Sequence, residues 1–378
     1  MVIDLEFLSD FNSYLVEKKA EGKKVIAFMA HDNIPEELID AAGFIPLKMI
    51  FAGNDELMDA SHNFLPPSTC SFAQSCIGLF SQKPNNYDFL DKVDYILVSN
   101  HCVSDICASE IIAKYFFIPR INFYTSIIQT ENGLKYFKLE LLELKKELES
   151  IKKSEISAET IKDSIRKYNI LKTKLSEISQ LTILGSKKLD IYQKAMLYGP
   201  DYIPKLEKFI EETKENQEIS NNTKDLIFTG CSIFFGDYLN DLIEESGGNV
   251  VLFDSWVGLN YFSQIINEEK IDSTEDPMDL FIERFKNNEN GDHTVPNYLE
   301  NKTTQIEDFI KDYYQKTGKN ISVVNHIIKF CDHINIFQSL LKSNLQGRGI
   351  KVLNLERDYS RANRGQISTR IEAFMEMM

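Results

Sequence analysis

Short apolar runs of strand length alternate along the chain with stretches whose apolar residues recur every three or four positions. Residues 4–21 carry the helical period, and Lys24-Val-Ile-Ala-Phe-Met follows as a compact apolar strand. His31-Asp-Asn-Ile-Pro reads as a loop, and Pro35-Glu-Glu-Leu-Ile-Asp-Ala-Ala opens a helix. Proline suits a first helical turn, where its missing N–H is no loss, and the two glutamates complement the helix dipole. Gly43 stops that helix, and residues 44–50 read as a second strand. A third strand, 93–99, ends at Asn100-His101-Cys102, with a helix from about Ser104 to Tyr115 and a short strand from Arg120. This alternation predicts a parallel sheet.

Residues 132–220 are rich in Lys, Glu, Leu and Ile at helical spacing, which predicts a hairpin or small bundle. Leu139, Leu142 and Leu148 are expected on its packed face, with the charged runs on the solvated one. The strand pattern resumes at Asp225-Leu-Ile-Phe-Thr-Gly-Cys231. Further strands are expected at 249–254, 321–328 and 349–356, and helices from Tyr238, after Cys331 and from Gln366. Residues 267–300 are polar, hold Pro277 and Pro296, and suggest a long surface excursion. The fold class expected is α/β: two Rossmann-like parallel-sheet domains, 1–131 and 225–378, joined by a helical segment, 132–224. No short repeat is visible, although the two α/β parts can be similar folds.

A chain of 378 residues is too long for one ordinary core. No apolar run reaches the length of a membrane span. The acidic N-terminus does not read as a signal peptide, so a cytoplasmic protein is expected. The net charge of −15 and pI near 5.0 argue against a nucleic-acid partner, because an acidic chain repels phosphates. There is no G-x-G-x-x-G fingerprint and no P-loop, so neither a nicotinamide cofactor nor ATP is expected on this chain.

The six cysteines sharpen the picture: Cys70, Cys76, Cys102, Cys107, Cys231 and Cys331. A reducing cytoplasm disfavours structural disulfides. Cys102, Cys231 and Cys331 each stand at the end of an expected strand, where open α/β sheets bind ligands. Cys70 and Cys76 form C-x5-C in a loop after Pro66-Pro67, and Cys102 and Cys107 form C-x4-C. Thiolates select zinc or iron–sulfur clusters, and the tight C-x2-C knuckles of structural zinc are absent. Spacing alone leaves a cluster between the domains, scattered buried thiols, zinc and a thiol catalyst all open.

The wider sequence resembles a family. Gly22-Lys-Lys-Val-Ile-Ala and Ile34-Pro-Glu-Glu-Leu-Ile-Asp-Ala-Ala-Gly-Phe-Ile-Pro46 resemble the start of the 2-hydroxyacyl-CoA dehydratase family, which includes benzoyl-CoA reductase subunits and double-cubane-cluster proteins. Thr69-Cys-Ser-Phe-Ala-Gln-Ser-Cys76, His101-Cys102 and Lys329-Phe-Cys-Asp332 look like its ligand loops. Leu355-Glu-Arg-Asp-Tyr-Ser and Gly365-Gln-Ile-Ser-Thr-Arg-Ile-Glu-Ala-Phe374 resemble its ending.

The resemblance implies an oxygen-sensitive [4Fe–4S] cluster held by Cys70, Cys102 and Cys331, with one iron open to substrate. It also implies an ATP-hydrolysing iron–sulfur activator that injects one electron at low potential. The dehydratases are heterodimers with three ligands per subunit, whereas this chain carries Cys76, Cys107 and Cys231 as well. Six thiolates can supply three to each half of an [8Fe–9S] double cubane, as in the family's homodimeric reductases of small molecules. Three functions therefore stand side by side: a reductase of a small substrate, a subunit of an (R)-2-hydroxyacyl-CoA dehydratase, and a non-enzymatic electron store. A homodimer is expected, or a heterodimer with a paralogous subunit, without nucleic acid or membrane.

Other residues join the candidates. His31 and His101 are candidate proton donors or hydrogen-bond partners of a cluster sulfide. Each can equally be a loop histidine bonded to backbone. Asp105 and Asp332 follow cysteines closely and suit helix caps. Arg357, Arg361, Arg364 and Arg370 make a basic C-terminal patch suited to CoA phosphates, an acidic partner surface or a salt-bridged helix.

Overall fold

Two four-stranded parallel sheets organise the chain in a computed structural model that describes residues 5–29, 33–126, 128–215, 223–289, 291 and 297–378. The N-terminal sheet holds β1 (Val25–Phe28), β2 (Ile45–Lys48), β3 (Val93–Ser99) and β4 (Arg120–Phe123) in the order β2-β1-β3-β4. The C-terminal sheet holds β5 (Lys224–Gly230), β6 (Gly248–Asp254), β7 (Ser322–Ile328) and β8 (Val352–Arg357) in the order β6-β5-β7-β8. The two halves thus share one topology. Each lays a first strand, adds a neighbour on one side, then reverses to the other. Every residue of β1 and β7 is buried. Helices cover both faces of such a sheet, which is why these strands read as unbroken apolar runs.

Helices α1 (Leu5–Ala20), α2 (Glu36–Ala41), α3 (Asp55–Ser61), α4 (Ser71–Gln82) and α5 (Val103–Tyr115) belong to the N-terminal half. The middle segment is α6 (Glu131–Lys152), α7 (Ala158–Gln180), α8 (Gly185–Tyr198) and α9 (Ile203–Glu215). Thr130 and Ser157 cap α6 and α7 by accepting the N–H groups of Gly133 and Thr160 at 3.3 and 3.1 Å. The packed face of α6 is Phe137, Leu141, Leu144 and Leu148. Leu139 and Leu142, expected there, are exposed. Packing chose the face: the Phe137 ring lies 5.9 Å from that of Phe123 on β4 and 4.9 Å from that of Phe285. Helix α7 serves both halves, with Ile161 and Ile165 in the core of the N-terminal sheet and Leu171 and Leu175 in the larger shared core.

The C-terminal half adds α10 (Leu239–Glu245), α11 (Leu259–Phe262), α12 (Glu268–Ser273), α13 (Met278–Asn287), α14 (Tyr298–Thr317), α15 (Asp332–Gly347) and α16 (Arg364–Glu376). The expected surface excursion is corrected here. Helices α12 and α13 bury Ile271, Met278, Phe281 and Phe285 against Phe28, Leu38 and Phe123 of the N-terminal half. Their charged residues masked a helical period of anchors at 278, 281 and 285. Backbone also joins the halves: Phe235 N–H donates to Ile50 and Ala52 N–H to Phe235, at 2.8 and 2.9 Å. No described helix is long and apolar enough to cross a membrane.

Candidate functional site

Where a parallel sheet reverses its strand order, the connections leave in opposite directions and open a crevice at the carboxyl ends of the strands. In the C-terminal sheet that point lies between β5 and β7, and in the N-terminal sheet between β1 and β3. Strand β5 delivers Cys231, β7 leads to Cys331 and β3 to Cys102. Cys70 arrives from a loop before α4, docked across the interface by Ser71 N–H on the carbonyl of Lys329 at 3.3 Å. These four cysteines line one cavity of about 110 Å³ that opens to solvent.

Three of the four thiols share one local setting. Cys70, Cys102 and Cys331 are the N-cap residues of α4, α5 and α15. None of the three makes a full side-chain cap hydrogen bond, but the nearby N–H groups of Phe72 and Ala73, of Ser104 and Asp105, and of Ile334 favour the charged sulfur. Three helix N-termini therefore point their unspent donors at sulfur, which favours thiolate. Opposing effects are larger without a cation. Contact with Cys331 and burial push the Cys70 thiol up, contact with Cys231 pushes Cys331 up, and burial lifts Cys102 to about 11.

The chain turns sharply to place these groups. Phe330 takes a left-handed φ of 63° between β7 and Cys331. Gly230 has φ +92°, and a Cβ there would sit 2.3 Å from the carbonyl oxygen of His326. Cys231 N–H donates to that same carbonyl at 2.8 Å, and His326 Nδ1 lies 2.7 Å from the Cys231 carbonyl.

The other expected site residues fall elsewhere. Cys76 is fully buried in α4 and is not on the cavity wall. Burial, then Asp105 and Cys70, push its thiol up. Cys107 is exposed on α5 and does not line the cavity. His101 is buried with Nδ1 3.1 Å from Ser99 Oγ, beside the cavity rather than in its lining. His31 and Asp32 lie outside the described residues. Asp105 is not a cap: it lines the cavity, holds Ser99 and Ser109, and burial lifts its carboxyl to about 7. Asp332 is exposed in the first turn of α15, whose cap is Cys331.

Three arginines of the basic C-terminal patch are paired within the protein, which fits the salt-bridged alternative. Arg357 is buried on Asp237, Arg364 pairs with Glu245, and Arg370 donates to the Asn354 carbonyl at 2.7 Å. Arg357 and Arg364 both lie over the Tyr238 ring and Arg357 and Arg370 line one cleft, so the arginines stay near one another while protein groups engage them.

Sequence reasoning missed a further part of the cavity lining: Asp254, Trp256, Asn260 and Lys302. Asp254 ends β6 and was findable as a strand-end residue. Lys302 lay in a polar run without any signal. Among the described residues, no three His, Cys, Asp or Glu side chains close on a point as a single-ion site needs. Four thiols around one cavity, three of them at helix N-termini, suit a larger soft-metal group.

Fold and site define an α/β protein with a thiol-walled cavity at the carboxyl ends of two parallel sheets. The family model described as 2-hydroxyglutaryl-CoA dehydratase, D-component, matches residues 33–378, and the chain belongs to that family. It is 24% identical to the (R)-phenyllactyl-CoA dehydratase beta subunit of Clostridium sporogenes, over 99% of each chain. It is 25% identical to an Escherichia coli (strain K12) protein described as a dehydratase subunit, YjiM, over 91% of this chain and 89% of that one.

Proposed function

We propose that this chain is the cluster-bearing subunit of a 2-hydroxyacyl-CoA dehydratase-type lyase. Its cavity would hold an iron–sulfur cluster through Cys70, Cys102 and Cys331, with Cys231 beside them. The observation that carries this reading is the convergence of those four thiols on one cavity between two sheets. When bound, the cluster supplies one-electron chemistry to a thioester, so that the C2 hydroxyl leaves.

The chain's own groups support that role. Three helix N-termini stabilise the negative charge of the sulfur ligands. Phe72, Phe234, Trp256 and Ile334 give the cavity an apolar lining that limits water. The chain carries no P-loop, so a separate ATP-hydrolysing iron–sulfur activator would supply the electron. The relative named as a beta subunit favours a heterodimer with a paralogous subunit over a homodimer.

The eight-iron reductase is the second reading, favoured by the contact between Cys231 and Cys331 and by Cys76 behind Cys70. It needs Cys107 as a sixth ligand, and Cys107 is exposed away from the cavity. Iron and acid-labile sulfide per chain after anaerobic purification decide the matter, with EPR of the reduced protein. About four irons support the dehydratase subunit. Near eight would move the assignment to the reductase, and an iron-free protein would sink both.

A further inference from the structure

The cavity is lined by two unlike sets of residues. Cysteines form one. In the other, Lys302 of α14 and Asp254 at the end of β6 form an ion pair at 2.6 Å, each side chain 2% exposed. Asp254 is fully engaged, because its second oxygen accepts from Thr229 Oγ at 2.8 Å. Lys302 is not. An ammonium has three N–H donors, and the pair with Asp254 uses one of them. Among the described residues the ammonium has no second hydrogen-bond acceptor, and Lys302 lines the cavity. Asn260 lines the same cavity; it is 7% exposed, and its Oδ1 is buried with no hydrogen-bond partner among the described residues. A buried acceptor without a partner costs free energy, and a polar ligand in the cavity that these two residues line would satisfy it.

Resting on the dehydratase reading above, we infer that Lys302 and Asn260 recognise the 2-hydroxyacyl head of the substrate. Asn260 Oδ1 accepts the 2-hydroxyl O–H, and Lys302 donates to the thioester carbonyl oxygen. The chemistry matches: a 2-hydroxy thioester offers one donor and one acceptor on adjacent carbons. In that pose the ammonium would also stabilise the negative charge that collects when the thioester takes up one electron from its reductant. Lys302 is held by Asp254 and gives up no proton in this role. The fourth residue of this set, Trp256, is the only tryptophan of the chain, so its emission reports on occupancy of this cavity.

The test is equilibrium binding to the anaerobically purified full chain, by calorimetry and Trp256 emission. The probes are (R)-lactyl-CoA, propionyl-CoA, which lacks the hydroxyl, and free CoA. Wild type is expected to bind lactyl-CoA at least about tenfold more tightly than propionyl-CoA. Asn260→Leu should shrink that preference to within about twofold, because its buried acceptor is gone. Lys302→Met combined with Asp254→Asn removes the buried charge together with its partner and avoids an unpaired carboxylate. That double variant should weaken both thioesters by about tenfold and leave free CoA unchanged. Iron content and circular dichroism at wild-type values establish that each variant folds. Full preference in Asn260→Leu, with unchanged thioester binding in the double variant, overturns the assignment alone. Failure of wild type to bind either thioester overturns the dehydratase reading, and the assignment with it.

Discussion

The backbone N–H of Ile328 donates to the Sγ of Cys231 at 3.3 Å, so β7 holds the thiol that β5 delivers. Cys231 differs in this from Cys70, Cys102 and Cys331, which each start a helix. It is the fourth thiol of the cavity lining, and on the proposed reading it is the residue that would tune or close a cluster site.

Single Cys→Ala variants should therefore divide into two groups. Replacing Cys70, Cys102 or Cys331 is expected to remove most of the iron. Cys231→Ala should keep iron near the wild-type level and change the EPR signal of the reduced protein. Iron loss in Cys231→Ala as severe as in the other three would make it a ligand of equal standing.

Gly230 makes the turn into Cys231 possible. Alanine there meets the His326 carbonyl and a strained φ together. Gly230→Ala is expected to destabilise the fold by about 2 kcal/mol or more and lower iron occupancy. Thermal unfolding and iron analysis on one preparation check both.

A buried charge network joins the N-terminal half to α7 and α13. Glu37 accepts from Lys172 at 3.0 Å and from both Arg284 Nη groups, while Glu36 pairs with Lys48. Burial alone would raise the Glu37 carboxyl, but Arg284 and Lys172 outweigh it and hold the group well below its ordinary 4.5. A carboxylate held down in the fold contributes stability above its unfolded value, and that contribution is lost as pH falls below 4.5. Arg284→Met should destabilise by about 3 kcal/mol at neutral pH and flatten the acid limb of the stability curve. Denaturant unfolding between pH 3 and 7 gives both readings. An unchanged acid limb would show that other carboxylates carry it.

Two C-terminal arginines should behave differently although the sequence presents them as one patch. Arg357 and Asp237 are both buried, so Arg357→Met is expected to destabilise by about 3 kcal/mol. Arg364 meets Glu245 at the surface, and Arg364→Ala should leave the unfolding midpoint unchanged. Urea unfolding of the two variants makes the comparison.

Local pattern determined much of this protein. All eight strands stood in the sequence as short apolar runs, and those buried on both faces, such as β1, β2 and β7, need no alternation. The positions of Cys102, Cys231 and Cys331 at strand ends were legible for the same reason. So was the long helical segment, whose period survives its Lys and Glu content. Only the tertiary structure decided which thiols meet. Cys70 joins the cavity because its loop docks on Lys329 of the other half, whereas Cys107, five residues from Cys102, is turned to the surface by the pitch of α5. The pairing of Lys302 with Asp254 spans 48 positions of sequence. No local signal encodes it, because its stability depends on a desolvated pocket that exists only after both sheets and α14 have packed. The packed face of α6 and the burial of α12 and α13 were likewise settled by what lay opposite. A helix's own period gives a face but not a partner.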